Sequence, residues 1–220
     1  MLDVLYEDNH LIAINKKVGD IVQRDKTGDK SLSHFVKDYI KKKYEKSGEV
    51  FLGTIHRIDR PTSGIVLFAR TSKALGRMNE QFRNKKVKKT YIAIVTNIPP
   101  RDSGILKDYL QKNERKNKSF ITKTEIGKEA ILEYRFLKKL DNYNLLEIKP
   151  ITGRHHQIRV QLAHIGCIIK GDLKYGARRS NKDGGIHLHA QQLDFIHPVK
   201  KDPIIIKAPT PKDTIWKICR

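Results

Sequence analysis

The sequence predicts an α+β fold, with a mixed, largely antiparallel β-sheet core and a few flanking helices. Three observations carry that expectation. Short apolar or alternating runs bounded by turn residues outnumber the amphipathic helical stretches. Strands and helices do not alternate strictly, as a doubly wound parallel sheet would require. With 220 residues and 38% hydrophobic content, the chain can bury an ordinary core without disulfides or a structural metal. It reads as a single domain over residues 1–220, with no internal repeat, low-complexity segment or interdomain linker.

Residues 2–6 and 11–15 (the latter Leu-Ile-Ala-Ile-Asn) are expected to form short strands around the turn Glu7-Asp8-Asn9. Ser31 caps a helix whose apolar stripe is Leu32, Phe35, Val36, Tyr39 and Ile40, with Gly48 as its stop. Residues 64–69 (Gly-Ile-Val-Leu-Phe-Ala) form a buried strand. A second capped helix starts at Ser72 and aligns Leu75, Met78 and Phe82 on one face. A strand over residues 89–96 leads into a turn-rich connection at 97–104. Strands follow near 105–110, 130–137 and 143–149, then a helix near 155–165 with Ile158, Leu162 and Ile165 at helical spacing. Residues 171–185 are polar and glycine-rich and read as an exposed loop. Strands near 186–194 and 203–207 close the chain.

Charge is the informative total. There are 45 Lys plus Arg against 24 Asp plus Glu, a formal +21. Such an excess points to a polyanionic partner, DNA or RNA, although part of it reads as solvated helix faces. No long amphipathic basic helix supports a membrane-surface role. No window approaches the roughly 18–20 apolar residues of a membrane helix. Residues 1–8 show no basic lead followed by an apolar run, so no secretory signal is expected. Cys167 and Cys219 form no metal-type pair and read as reduced thiols. Together these features lead us to expect a cytoplasmic chain, monomeric by default.

The most unusual segment is His56-Arg57-Ile58-Asp59-Arg60-Pro61-Thr62-Ser63-Gly64, running into the buried strand. A carboxylate between two arginines, just before a turn, suits a nucleophile or general base, because neighbouring guanidinium groups keep Asp59 ionised and oriented. The local pattern fits a surface ion pair beside a turn equally well. A protein-kinase loop is excluded, since the Asp falls one position late and neither a Gly-rich phosphate loop nor Asp-Phe-Gly is present.

Three blocks in order give the chain a resemblance. The segment around Asp59 resembles the His-Arg-Leu-Asp and Thr-Ser-Gly signature of the RluA family of RNA pseudouridine synthases. Lys89-Thr90-Tyr91 resembles that family's Lys-x-Tyr strand. Thr152-Gly153-Arg154-His155-His156-Gln157-Ile158-Arg159-Val160, continuing to Gly166 and Gly171-Asp172, resembles the third block. His187-Leu188-His189-Ala190 and His197-Pro198 match as well, so the likeness covers roughly residues 3–209. The resemblance implies isomerisation of uridine in ribosomal or transfer RNA, without a cofactor. It implies that Asp59 is the essential aspartate, Tyr91 the tyrosine that stacks on the target base, and Arg159 the basic residue that pairs with the aspartate. Arg57 and Arg60 are implied as supporting groups or phosphate contacts. Asp59 can attack C1′, add to C6 of the base or remove the C2′ proton, and all three routes stay open.

Three positions depart from the family pattern. His155 stands where Thr or Ser is usual, Gln161 where His is common, and Lys17 where the early Lys-Pro segment has proline. The pairs His155-His156 and His187/His189 raise a metal site, but no third or fourth ligand follows at metal spacing, so they are expected to be hydrogen-bonding groups. The lysines at 85, 86, 88 and 89 lie beside Tyr91 and offer phosphate contacts. The rival reading is a non-catalytic RNA-binding or ribosome-assembly protein on the same fold. A DNA-binding regulator explains the charge but not the three blocks.

Overall fold

The computed structural model describes residues 2–23, 28–123 and 126–217. In chain order the elements are β1 (Val4–Glu7), β2 (Leu11–Lys16), α1 (Leu32–Lys43), β3 (Gly53–Thr54), β4 (Ser63–Ala69), α2 (Ser72–Arg83) and β5 (Lys88–Val95). Then come β6 (Ser103–Asn113), β7 (Lys118–Thr122), β8 (Lys128–Lys139), β9 (Asn144–Pro150) and α3 (Gln157–His164). A 3-10 turn (Leu173–Tyr175), β10 (Leu188–Ile196), β11 (Pro203–Lys207) and α4 (Thr214–Lys217) complete the set. This is the α+β class the sequence predicts. The chain forms two compact units, Met1–Lys88 with Ala190–Pro211, and Lys89–His189 with Lys212–Arg220.

In the first unit the strand order is β1-β2-β4-β10-β11, with β3 beside β4. β2 and β4 pair antiparallel from Leu11↔Ala69 to Lys16↔Gly64. All seven residues of β4 are buried, which is why its sequence is a continuous apolar run without alternation. Ile65, Leu67 and Ala69 meet Leu11, Ala13, Met78, Leu193 and Phe195 in one core. Each large side chain buried there contributes about 1.5–3 kcal/mol. α1 is tied to β1 through Glu7, which accepts from Lys43 Nζ at 2.6 Å, Tyr44 Oη at 2.8 Å, Tyr39 Oη at 2.9 Å and Arg70 Nη1 at 3.1 Å.

In the second unit β5-β9-β8-β6-β7 form an antiparallel array. α3 packs its Ile158 and Leu162 against Ala93, Val95, Leu146 and Ile148. Trp216 fills a separate cluster with Ile92, Ile94, Leu140 and Leu145.

The helix boundaries differ from expectation in instructive ways. α1 ends at Lys43, not at Gly48. Glu45 takes the left-handed conformation (φ 47°), and Lys46 N–H reaches back to Lys41 O at 3.0 Å. α2 ends the same way on Lys85 (φ 55°), with Lys86 N–H on Gln81 O at 2.9 Å. It starts at Ser72 as expected, capped by Thr71, whose Oγ1 accepts from Ala74 N–H at 3.2 Å. Ser31 holds the N-cap position of α1 but makes no side-chain cap bond; its hydroxyl meets that of Ser33 at 2.8 Å. Phe35, expected in the buried stripe of α1, is 44% exposed, and Leu32, Val36 and Ile40 do the burying.

Candidate active site

In the first unit, β3 runs antiparallel to β4 and residues 55–62 loop back to enter it. The loop is pinned at several points. Ile58 is buried, and Thr62 N–H closes a turn on Asp59 O at 3.0 Å. His56 Nε2 accepts from Leu67 N–H at 3.1 Å, and its ring stacks on Phe82 at 5.2 Å. Accepting through Nε2 requires that nitrogen to be unprotonated. Gly64 has φ +113°, and a Cβ there would lie 2.3 Å from Ala190 O and 2.6 Å from Ala190 N. Only glycine therefore lets the Thr-Ser-Gly segment enter β4 beside β10.

Asp59 itself is half-buried. Arg57 is exposed, and Arg60 turns to Asp29 at 3.0 Å, with both side chains about half exposed. An ion pair in such water contact is worth little. One buried cation coupled to Asp59 is Lys16, 1% exposed. Its ammonium donates to Lys17 O and Asp20 O at 2.9 Å and to Arg60 O at 3.1 Å, so it laces the β2 exit to the turn that follows Asp59. Burial draws its pKa down to about 8, against the pull of Asp20 and Asp59. Sequence reasoning passed over Lys16; the available signal was its place in the early Lys-Pro block.

In the second unit, Tyr91 lies on β5 opposite Ile148 of β9, half-buried against the core. Lys89 stands two residues earlier on the same strand face. The third block is built around a clamp. Thr152 Oγ1 donates to Gln157 Oε1 at 2.7 Å and accepts from Ile131 N–H at 2.8 Å, while Gln157 Nε2 donates to Ile131 O at 3.0 Å. His156 caps α3 in the left-handed region (φ 54°). Outliers of that kind cost of order 1–3 kcal/mol and cluster at functional sites.

Arg159 is 4% exposed and holds Asp172 in a two-pronged pair, Nε to Oδ2 at 2.7 Å and Nη2 to Oδ1 at 2.8 Å. Its guanidinium also lies 5.1 Å from the Tyr175 ring. Asp172 and Tyr175 are therefore buried, which corrects the expectation that residues 171–185 form a wholly exposed loop. Tyr175 Oη accepts from Ser119 N–H at 2.9 Å and lies 3.0 Å from His156 Nδ1. Burial first, then the charges of Arg159 and His155, push the His156 imidazole down to a pKa of about 2, so it stays neutral.

Two of the three departures from the family pattern, His155 and Gln161, find local partners. His155 stacks on His156 at 3.8 Å and meets Ser119 Oγ at 2.8 Å. Gln161, fully buried, donates to Asp108 Oδ2 at 2.7 Å. His187 and His189 both face Trp216, at 5.2 and 6.0 Å, and Asn181 Nδ2 lies 2.9 Å from His187 Nδ1. Cys167 is a buried free thiol, raised to a pKa of about 11 by burial; Cys219 lies outside the described residues. No helix among the described residues is long and apolar enough to cross a membrane.

The family model for RNA pseudouridylate synthase matches residues 10–164, a span that includes Asp59, Tyr91 and Arg159. The chain is similar to the ribosomal large subunit pseudouridine synthase C of Buchnera aphidicola subsp. Baizongia pistaciae, at 36% identity over 94% of this chain and 66% of that one. It is also similar to the tRNA pseudouridine synthase C of Salmonella typhimurium, at 33% identity over 94% of this chain and 85% of the relative. Among solved structures, human RNA pseudouridylate synthase domain containing 4 shares the fold with a TM-score of 0.81 and 24% identity, over 99% of this chain and 92% of that one. With the family model spanning residues 10–164, and with two relatives each at least 33% identical over 94% of its length, the chain belongs to the RNA pseudouridylate synthase family.

Proposed function

We propose that the chain isomerises uridine to pseudouridine in ribosomal or transfer RNA, with Asp59 as the catalytic carboxylate. The observation that carries this reading is the family match over residues 10–164, which takes in Asp59, Tyr91 and Arg159. The relatives' names supply the two RNA classes, one acting on the large ribosomal subunit and one on tRNA. Substrates of those two classes support a cytoplasmic place of action.

The reaction breaks the N1–C1′ bond, rotates the uracil and joins C5 to C1′; the C5 hydrogen leaves as a proton and N1 gains one. Nothing is oxidised, so the balance needs no redox partner. The base must leave its stack to be reached, and Tyr91 offers the flat π-face that receives it. Asp59 supplies the carboxylate for any of the three routes, each of which needs it held close to the sugar or base. The pinning of residues 56–62 by Ile58, His56 and Lys16 favours such a role, because a rigid loop holds the carboxylate in one place. Arg159 is the basic partner that the family pattern assigns to the aspartate, and its bond to Asp172 fixes its orientation. Arg57 and Arg60, both exposed, suit contacts to RNA phosphates.

Tritium release from 5-tritiated uridine in bulk RNA of cells lacking the gene tests the reading directly, since forming the C5 bond expels that hydrogen. Wild-type protein is expected to release tritium, and Asp59→Asn is expected to lose at least about a thousandfold in rate, the scale seen when a covalent catalyst is removed. No release from wild type on either RNA class would refute the activity. It would leave a non-catalytic RNA-binding protein on this fold.

A further inference from the structure

Lys89 is an anomaly among the lysines of the second unit. An ammonium has three N–H donors and, when taken out of water, needs acceptors or a counter-charge for them. Lys89 Nζ makes one long hydrogen bond, to Thr152 O at 3.4 Å, and no ion pair with a carboxylate among the described residues. Burial is the sole cause that draws its pKa down, to about 8; no acid opposes it. Exposed lysines of the same unit find carboxylates, Lys107 on Glu129 at 3.2 Å and Lys149 on Glu147 at 3.3 Å. Lys89, half-buried, finds none among the described residues.

Its surroundings say what would satisfy it. A Cβ built on Gly153 would lie 3.9 Å from Nζ. Gly153 is exposed, so the ammonium sits beside backbone that carries no side chain and lies open to a ligand. Tyr91 follows on the same strand face two residues on. A cation short of partners, two residues from an aromatic side chain on the same strand face, fits an anion attached to a flat base. With a formal +21 on the chain, RNA phosphate is the anion class the molecule is built to meet.

We propose that Lys89, with the Thr152-Gly153 backbone beside it, is a phosphate-binding site that fixes the nucleotide received by Tyr91. This rests on the RNA-directed reading above. The ammonium acts by binding and positioning; no bond is made or broken at it. A purely structural role predicts that Lys89→Met loses stability, whereas removing a buried, poorly partnered charge relieves the fold.

The test uses the full chain with Lys89→Met and Lys89→Arg, and filter binding of bulk large-subunit ribosomal RNA and bulk tRNA from cells lacking the gene, across a KCl series. Lys89→Met is expected to melt at or above the wild-type temperature while binding about tenfold more weakly, the scale of one charge-assisted hydrogen bond. Its slope of log affinity against log salt should fall by about 0.7, the value of one phosphate contact on single-stranded RNA. Lys89→Arg should restore the slope, since guanidinium keeps the charge. An unchanged slope in Lys89→Met overturns the proposal, whether affinity holds or falls with the melting temperature. Tritium release by wild type reads the isomerase separately. Release with an unchanged Lys89→Met slope sinks the phosphate site alone, and a shifted slope without release sinks the isomerase alone.

Discussion

Lys16 in the first unit and Lys89 in the second are both lysines whose burial draws the pKa to about 8, yet their surroundings differ sharply. Lys16 is caged by three backbone carbonyls at 2.9–3.1 Å and feels the fields of Asp20 and Asp59. Lys89 has one carbonyl at 3.4 Å and no acid. The first arrangement uses a cation as a fastener, because each carbonyl it satisfies is a backbone group whose position is then fixed. The second leaves a cation underused in the protein, which is the state expected of a group that completes its coordination on a ligand. Arg159 marks the other extreme, a buried cation matched by a whole carboxylate. The partners, not the charge, separate scaffold from binding group.

Removing partners or cations in turn should rank these sites. The largest effect is expected from Asp172→Ala, which strips the carboxylate from a guanidinium that is 4% exposed. Breaking a buried pair on one side typically costs about 3–5 kcal/mol. Chemical denaturation should show that loss as a lower midpoint at unchanged slope. A loss under about 1 kcal/mol would mean that Arg159 readily finds other acceptors. Next comes Lys16→Met, which leaves the carbonyls of Lys17, Asp20 and Arg60 without their shared donor. A cost of about 2–4 kcal/mol follows if water cannot replace it. Because the Arg60 carbonyl belongs to the turn after Asp59, kcat should also fall in folded protein. If Lys16→Met melts lower but keeps full kcat, the cage serves stability only.

These sites also show how far the sequence could be read. β2, β4 and β5 were legible because their buried stretches at 11–14, 65–69 and 92–95 are wholly apolar. β7 was not, because its pattern is inverted: Ser119 is buried and Phe120 is 42% exposed. β3 has two residues, Gly53 and Thr54, too few for any periodicity. β6 runs on to Asn113 because Gln111, Lys112 and Asn113 pair with β7, and polar residues give no strand signal of their own. The positions of Asp59, Tyr91 and Arg159 came from motif spacing. Their surroundings did not: Asp172 lies thirteen residues from Arg159, and nothing local marks the pair. Lys16 was hidden by chemistry, since lysine is almost never fully buried and a sequence reader places it on the surface.

The smallest and most specific effect concerns the pH dependence of Lys89. Its folded-state pKa of about 8 lies below the ordinary lysine value of 10.5. Below pH 8 both folded and unfolded chains carry the proton, and the full burden of burying the charge is present. Between 8 and 10.5 the unfolded state binds more protons than the folded one, so stability rises with pH. Lys89→Met has no proton to lose there. It should therefore exceed wild type by on the order of 1 kcal/mol at pH 7, once partial solvent access is allowed for. That advantage should shrink as pH climbs through 8 toward 10.5. Denaturant midpoints of the two proteins over this range, taken as a difference, cancel the titration of every other lysine. Parallel profiles, or a variant less stable than wild type at pH 7, would show that Lys89 is already satisfied within the fold. It would then be a fastener like Lys16, and the contrast between the two lysines would disappear.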